Sequence, residues 1–276
     1  MADKRDAIVE VCRAGLRAAH GTNRALFHRH LARALILSGK IPEALVEADQ
    51  VVQLASDQNR IQSRLFRAQL LSNAEQCERA EAECVSLLSE AKRPADVRDI
   101  RQTLSVVYSS AGKVAKAEEQ LTMVLDADPN DATANNDLGY LMADHNHDLD
   151  RAERLIRKAI QLDREQKKSA ARDEQDEDAP NAAYIDSLGW VLFRRGRLAE
   201  AGRELEKAVA LPEGKTDPVV WDHLGDVYFR LGKLPRAKEA WQRAITLFDT
   251  ERRRSPGSEY RKIKQKLETG KLPAPG

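Results

Sequence analysis

The chain has 276 residues, in which 45 lysines and arginines are balanced by 44 aspartates and glutamates, so the formal net charge is +1. A chain with so little net charge has no overall field that would attract nucleic acid or an anionic membrane surface. Hydrophobic residues make up 42% of the chain but aromatic residues only 5%. This composition predicts an interior built from Ala, Leu, Val and Ile, and it favours helices.

The cysteines and the N-terminal segment indicate a cytoplasmic protein. Cys12, Cys77 and Cys84 are odd in number and not closely paired, which fits reduced thiols that act as small buried apolar side chains. The opening MADKRDAIVEVCRAGLRAAHG has neither the unbroken apolar core nor the cleavage site of a secretory signal. No run of eighteen apolar residues occurs, so the sequence predicts no membrane span.

Residues 1–24 are predicted to form one helix that has no partner helix before it. Ala7, Val11 and Ala14 have the spacing of the second helix of a helical hairpin. We interpret this segment as the second helix of a truncated repeat. An alternative function follows from it, namely docking or oligomerisation within a larger polypeptide.

Residues 25–250 repeat one pattern six times. The stretch SLGWVLFRRGRLAEA begins at Ser187, and HLGDVYFRLGKLPRA begins 36 residues later at His223. Each copy has an apolar stripe at helical spacing, then a turn, then a second stripe that begins with Ala. The pattern predicts a helix, a tight turn and a returning helix in each repeat. The repeats are placed at 25–60, 61–97, 98–131, 132–181, 182–217 and 218–250.

Small residues recur where the two helices of a repeat must approach closely. The eighth place of the first helix is held by Ala32, Ala68, Ser105, Gly139, Gly189 and Gly225. The twentieth place, in the returning helix, is held by Ala44, Ala80, Ala117, Ala152, Ala201 and Ala237. Gly112, Gly196 and Gly232 occupy predicted turns, where the residue past a helix end often takes a left-handed conformation.

These places make the chain resemble the tetratricopeptide repeat family. The last repeat matches the family signature best, through Trp221, Leu224, Gly225, Tyr228, Gly232, Ala237, Trp241 and Ala244. The resemblance implies an all-α fold, a right-handed α-solenoid of about six repeats whose first helices line its inner side. Most repeats lack the family's terminal Pro, Met142 replaces the usual Tyr, and the turn HNHDLD has one extra residue.

Two segments depart from the repeat. Residues 164–180, REQKKSAARDEQDEDAP, lengthen the fourth repeat. We interpret them as a helix overrun followed by a solvated acidic loop, with a docking or regulatory loop as the alternative. Residues 251–276 place Tyr260, Ile263 and Leu267 on one helical face, which indicates a capping helix and a tail.

Function is expected on the inner side of the first helices. At about 100° per residue, places two, five, nine, twelve and thirteen face away from the returning helix. In the last three repeats these places hold the candidate peptide-binding residues Asn136, Tyr140, Asp186, Trp190, Phe193, Arg194, Asp222, Asp226, Phe229 and Arg230.

The roles of individual groove residues stay open at this point. Trp190 is either a binding anchor, since Trp and Arg are enriched at binding hot spots, or a core wedge against the neighbouring repeat. Asp186 with Arg194, and Asp226 with Arg230 at i,i+4 spacing, are either surface ion pairs of little energetic weight or groups that hold a peptide.

The sequence predicts a non-enzymatic scaffold that binds a partner peptide or protein segment. It has no nucleophile motif, no Gly-rich phosphate loop and no recognised metal-ligand spacing, so no catalytic residue, cofactor or metal is expected. RNA binding of the pentatricopeptide kind is a weaker alternative, because the predicted groove carries Asp99, Asp186, Asp222 and Asp226. No nucleic-acid or membrane partner is expected, and homo-oligomerisation stays open.

Overall fold

The structure is a computed structural model that describes residues 2–20, 23–170, 180–251 and 258–272. These residues form α-helices and one short 3-10 helix, Asp57–Asn59, and contain no strand. The predicted all-α class is therefore confirmed. Contacts between Cα atoms divide the chain into two units. The N-terminal unit runs to Met123, and the C-terminal unit begins at Val124 and includes the last helix.

The N-terminal unit contains six helices and most of a seventh. Helices that follow one another pack together, from α1 on α2 to α5 on α6. The bounds of these helices are α1 Ala2–Ala18, α2 Asn23–Leu37, α3 Ile41–Gln53, α4 Arg60–Asn73, α5 Cys77–Glu90, α6 Pro94–Ser110 and α7 Val114–Ala127.

Helix α1 buries a different face from the one singled out in the sequence. Val9 and Cys12 pack against Leu31 and Leu35 of α2. Val11, on the predicted hairpin face, is 69% exposed. Cys84 is also buried, whereas Cys77 at the start of α5 is only half-buried, so the expectation of three buried thiols is wrong for this residue.

The C-terminal unit contains eight further helices among its described residues. Its first hairpin pairs α8 with α9, and α10 then packs against both of them as well as against α11. Helix α9 continues to Ala170, and residues 171–179 of the predicted acidic loop lie outside the described residues. The bounds are α8 Ala132–Asp144, α9 Leu149–Ala170, α10 Ala182–Arg194, α11 Leu198–Ala210, α12 Pro212–Thr216, α13 Pro218–Arg230, α14 Leu234–Glu251 and α15 Ser258–Thr269.

The turns between paired helices share one backbone hydrogen bond, in which an amide donates to a carbonyl five residues earlier. Gly232 takes the left-handed conformation that this turn requires, with φ of 73°. In the second repeat the same place holds Glu75, at φ of 60°, where a β-carbon costs about 1–2 kcal/mol. The six donor–acceptor pairs are Lys40–Leu35, Gln76–Leu71, Lys113–Tyr108, His147–Met142, Arg197–Leu192 and Lys233–Tyr228.

Small residues let the paired helices of the C-terminal unit touch. A β-carbon added at Gly189 would lie 2.5 Å from Leu205, and one added at Gly225 would lie 2.4 Å from the ring of Trp241. The alanines at the twentieth place are fully buried in all six repeats. No helix within the described residues combines the length and the apolarity that crossing a bilayer requires.

Candidate binding groove

A cavity of about 800 Å³ lies in the C-terminal unit, and we call it the groove. Helices α8, α10, α13 and α15 supply most of its walls. Eight of the ten candidate residues line it, and the two that do not are Asn136 and Asp186. The lining candidates are Tyr140, Trp190, Phe193, Arg194, Asp222, Asp226, Phe229 and Arg230.

Aromatic rings from three helices meet in the groove. Trp190 stacks on His223 with ring centroids 4.2 Å apart, and on Phe193 with centroids 5.1 Å apart. The ring of Tyr140 lies 6.3 Å from that of His223. Trp190 is only 7% exposed. It is thus largely buried and also lines the groove, so the two interpretations of this residue do not exclude each other.

Asp186 lies behind this cluster and binds His223. Nδ1 of His223 donates to the two carboxylate oxygens of Asp186 at 2.9 and 3.1 Å, and both residues are buried. Burial acts to lower the pKa of His223, but the charge and hydrogen bonds of Asp186 outweigh it and raise this pKa to about 9. The imidazole is therefore protonated at neutral pH.

Asp222 and Asp226 bind a lysine from the C-terminal helix. Nζ of Lys266 donates to Asp222 at 2.8 and 2.9 Å and to Asp226 at 2.8 Å. Asp226 also accepts a hydrogen bond from Nε1 of Trp241 at 2.9 Å. Burial and the neighbouring Asp226 raise the pKa of Asp222 to about 6, against the opposing effect of Lys266.

The arginines lie over aromatic rings. The guanidinium of Arg194 is 5.7 Å from the ring centroid of Trp190, and that of Arg230 is 5.6 Å from that of Phe193. The predicted ion pairs of Asp186 with Arg194 and of Asp226 with Arg230 are therefore wrong. Asp186 is paired with His223 and Asp226 with Lys266, both from neighbouring helices. The arginines therefore stack on the rings instead.

Two buried polar atoms of the candidate residues have no hydrogen-bond partner among the described residues. They are Nε1 of Trp190 and Oδ1 of Asn136. Asn136 is 7% exposed, and its amide nitrogen donates to Asp137. A buried donor without an acceptor loses about 1–3 kcal/mol of solvation, so a group that supplies an acceptor to Trp190 would be favoured.

Sequence reasoning missed His223 and Lys266. His223 stands at the sixth place, which falls outside the five places taken as the groove face. Lys266 lies in the predicted capping helix, for which only Tyr260, Ile263 and Leu267 were named as a packing face. In the described part of the chain, no group of three or more His, Cys, Asp or Glu side chains is arranged to hold a metal ion.

Comparisons with known proteins match the repeats directly. Tetratricopeptide repeat models match residues 25–50, 104–167, 187–207 and 218–250. The TPR repeat-containing protein PA4667 of Pseudomonas aeruginosa is 30% identical over 175 residues, which is 63% of this chain and 26% of PA4667. The chain thus spans about a quarter of the length of this relative.

Solved structures show the same fold. A tetratricopeptide repeat protein from Parabacteroides merdae superposes with a TM-score of 0.53 at 15% identity, covering 88% of this chain and 97% of that one. The thermophilic TPR protein TTC0263 of Thermus thermophilus superposes with a TM-score of 0.56 at 16% identity, covering 76% of this chain and 97% of that one.

Proteins with these repeats are generally non-enzymatic scaffolds for protein–protein interactions. With its repeated hairpins, close helix contacts and family matches, the chain belongs to the tetratricopeptide repeat family.

Proposed function

We propose that the protein is a scaffold whose groove binds a partner polypeptide segment, extended or helical, across the fourth to sixth repeats. The observation that carries this proposal is the cluster of Tyr140, Trp190 and Phe193 on the wall of a cavity of about 800 Å³. An apolar side chain of the partner would contact these rings. The volume lies within the range of about 300–1,000 Å³ that is common for ligand sites.

The chemistry of the wall suits a peptide. Aromatic rings bury a large apolar area for few rotatable bonds, and Trp, Tyr and Arg dominate binding hot spots. Nε1 of Trp190 is a buried donor without a partner in the described residues. A peptide backbone supplies carbonyl acceptors for such a donor.

The test uses peptides selected from a random twelve-residue display library on the whole chain. Their affinities are then measured by fluorescence anisotropy for Trp190→Ala and Tyr140→Ala. Each substitution removes ring surface from the groove, so we expect affinity to fall by about tenfold or more. Because Trp190 is buried, circular dichroism and thermal unfolding must accompany each measurement, and the half-buried Tyr140 provides a variant that perturbs the core less.

The matched controls remove a tryptophan and a tyrosine that lie outside the groove. Trp221→Ala and Tyr228→Ala serve here, since Nε1 of Trp221 donates to the Lys215 carbonyl and the Tyr228 hydroxyl donates to Glu206. Affinity should stay within about twofold of the unsubstituted protein for both controls. The proposal is wrong if no peptide binds, or if these controls weaken binding as much as the groove variants do.

A further inference from the structure

Three acidic side chains in and behind the groove, those of Asp186, Asp222 and Asp226, are already bound by cations of the protein itself. Asp186 accepts two hydrogen bonds from His223. Asp222 and Asp226 share the ammonium of Lys266, which is 5% exposed. A positively charged ligand would have to displace these buried partners, which contact no other carboxylate among the described residues.

Four cations of the groove, in contrast, have no carboxylate partner among the described residues. Arg194 and Arg230 stack on rings, which leaves the N–H groups at the edge of each guanidinium available for a carboxylate. Lys262 and Lys271 also line the groove. Within the described residues none of these four cations forms an ion pair with a carboxylate.

Two acidic residues on the groove wall also lack an ion pair in the described part of the chain. They are Asp144 at the end of α8 and Glu259 at the start of α15. Four unpaired cations face two unpaired acids, and Lys266 balances only one of its two carboxylates, so the groove keeps an excess of one positive charge. Both arginines lie beside the rings of the proposed apolar contact, so positive charge and apolar surface are adjacent.

We propose that the occupant of the groove is an acidic polypeptide segment, in which Asp or Glu side chains flank an apolar residue. This inference rests on the proposed function and adds the chemical class of the partner. The apolar residue packs on Tyr140 and Trp190. The flanking carboxylates accept hydrogen bonds from Arg194 and Arg230, in the planar geometry in which guanidinium groups bind carboxylates.

A single RNA strand would offer both negative charge and stacking bases, but the groove favours polypeptide. RNA binding requires neutralisation of successive phosphates, whereas the two arginines beside the rings provide sites for only two anionic groups. The formal net charge of +1 supplies no additional attraction.

The experiment compares three pools of twelve-residue peptides that share Phe, Leu or Trp at their central positions. Alternate positions carry Asp or Glu in the acidic pool, Asn or Gln in the neutral pool, and Lys or Arg in the basic pool. A twelve-nucleotide poly(U) strand is the fourth probe. We expect the acidic pool to bind the whole chain about tenfold more tightly than the neutral pool, and more weakly as salt rises.

Two sets of variants locate the charge preference. The double substitution Arg194→Gln with Arg230→Gln should reduce binding of the acidic pool by about tenfold or more, and it should weaken binding of the neutral pool much less. Arg236→Gln is the matched control, because this arginine stacks on Tyr228 outside the groove, 5.5 Å from the ring centroid. It should leave all pools unchanged.

The outcomes separate this inference from the proposed function. Equal or tighter binding of the neutral or basic pool, lost in Trp190→Ala, overturns the acidic preference and leaves groove binding in place. Tighter binding of poly(U) than of the acidic pool overturns both, as does a complete absence of peptide binding. Loss of acidic-pool binding in Arg236→Gln equal to that in the double variant also overturns the assignment to Arg194 and Arg230.

Discussion

His223 carries a buried positive charge in the C-terminal unit. Its Nδ1 lies 2.9 and 3.1 Å from the carboxylate oxygens of Asp186. Burial alone would lower the pKa of His223, yet Asp186 raises it from 6.5 to about 9. Because the folded-state pKa lies above the unfolded one, the protonated pair stabilises the fold fully below pH 6.5, and this contribution is lost as pH rises through 9.

We therefore expect the free energy of unfolding to fall by about 1–3 kcal/mol between pH 6.5 and pH 9.5. Guanidinium chloride unfolding, followed by circular dichroism at a series of pH values, measures this change. The control is the double variant Asp186→Asn with His223→Gln, which places neutral hydrogen-bonding groups at both positions. An equally steep decline in the double variant would show that other groups cause it.

The pairing of Asp186 with His223 is a contact between helices that the sequence pattern did not predict. Helical spacing predicted which side chains share a face of a helix, and eight of the ten candidates do line one cavity. Spacing within a helix carries no information about the offset between neighbouring helices. That offset decides that Asp186 meets His223 of the next repeat, and that Arg230 lies over Phe193.

At the scale of an element, the hairpin of α13 and α14 depends on a glycine. A β-carbon at Gly225 would lie 2.4 Å from Cδ1 of Trp241, a residue that is fully buried. We expect Gly225→Ala to lower the free energy of unfolding by about 1–3 kcal/mol, because the indole must move within a packed core. Chemical denaturation measures the loss.

Gly202 in α11 is the matched control. A β-carbon there would lie 3.5 Å from Val227, which is an ordinary contact. Gly202→Ala should therefore raise stability by about 0.5–1 kcal/mol through helix propensity alone. A stabilising effect of Gly225→Ala similar to that of Gly202→Ala would contradict the close approach of the two helices.

Helix starts were predictable where a side chain caps the helix. Helices α8, α10 and α13 begin where the repeat pattern places them, after Asp131, Asn181 and Asp217, whose side chains accept backbone N–H groups. Helix α6 instead begins at Pro94, four residues before the predicted start, and its N-cap residue Arg93 makes no such bond. The five-residue helix α12 has no periodic signal because it is too short for an apolar stripe.

At the scale of the molecule, a stack of hairpins exposes the apolar face of its last hairpin unless another element covers it. In the C-terminal unit α15 packs on α14, where Ile263, which is 1% exposed, contacts the cluster of Trp241 and Ile245. The sequence predicted this apolar face. It did not predict that Lys266 would neutralise the acids of α13, since lysine on a helix is usually solvated.

Lys266 should therefore be decisive for the stability of the C-terminal unit. Lys266→Met leaves the carboxylates of Asp222 and Asp226 buried side by side without a cation, and we expect a loss of about 3–5 kcal/mol at pH 7.5. The pKa of Asp222 is already raised to about 6 by burial and by Asp226, so at pH 5 one carboxylate is protonated and the loss should shrink. Thermal and chemical unfolding of the unsubstituted protein and of Lys266→Met at both pH values measure this loss of unfolding free energy.

Lys262→Met is the control, because Lys262 lies one turn earlier on α15 and is exposed. Equal losses in the two variants, or a loss in Lys266→Met that does not depend on pH, would refute this role of Lys266.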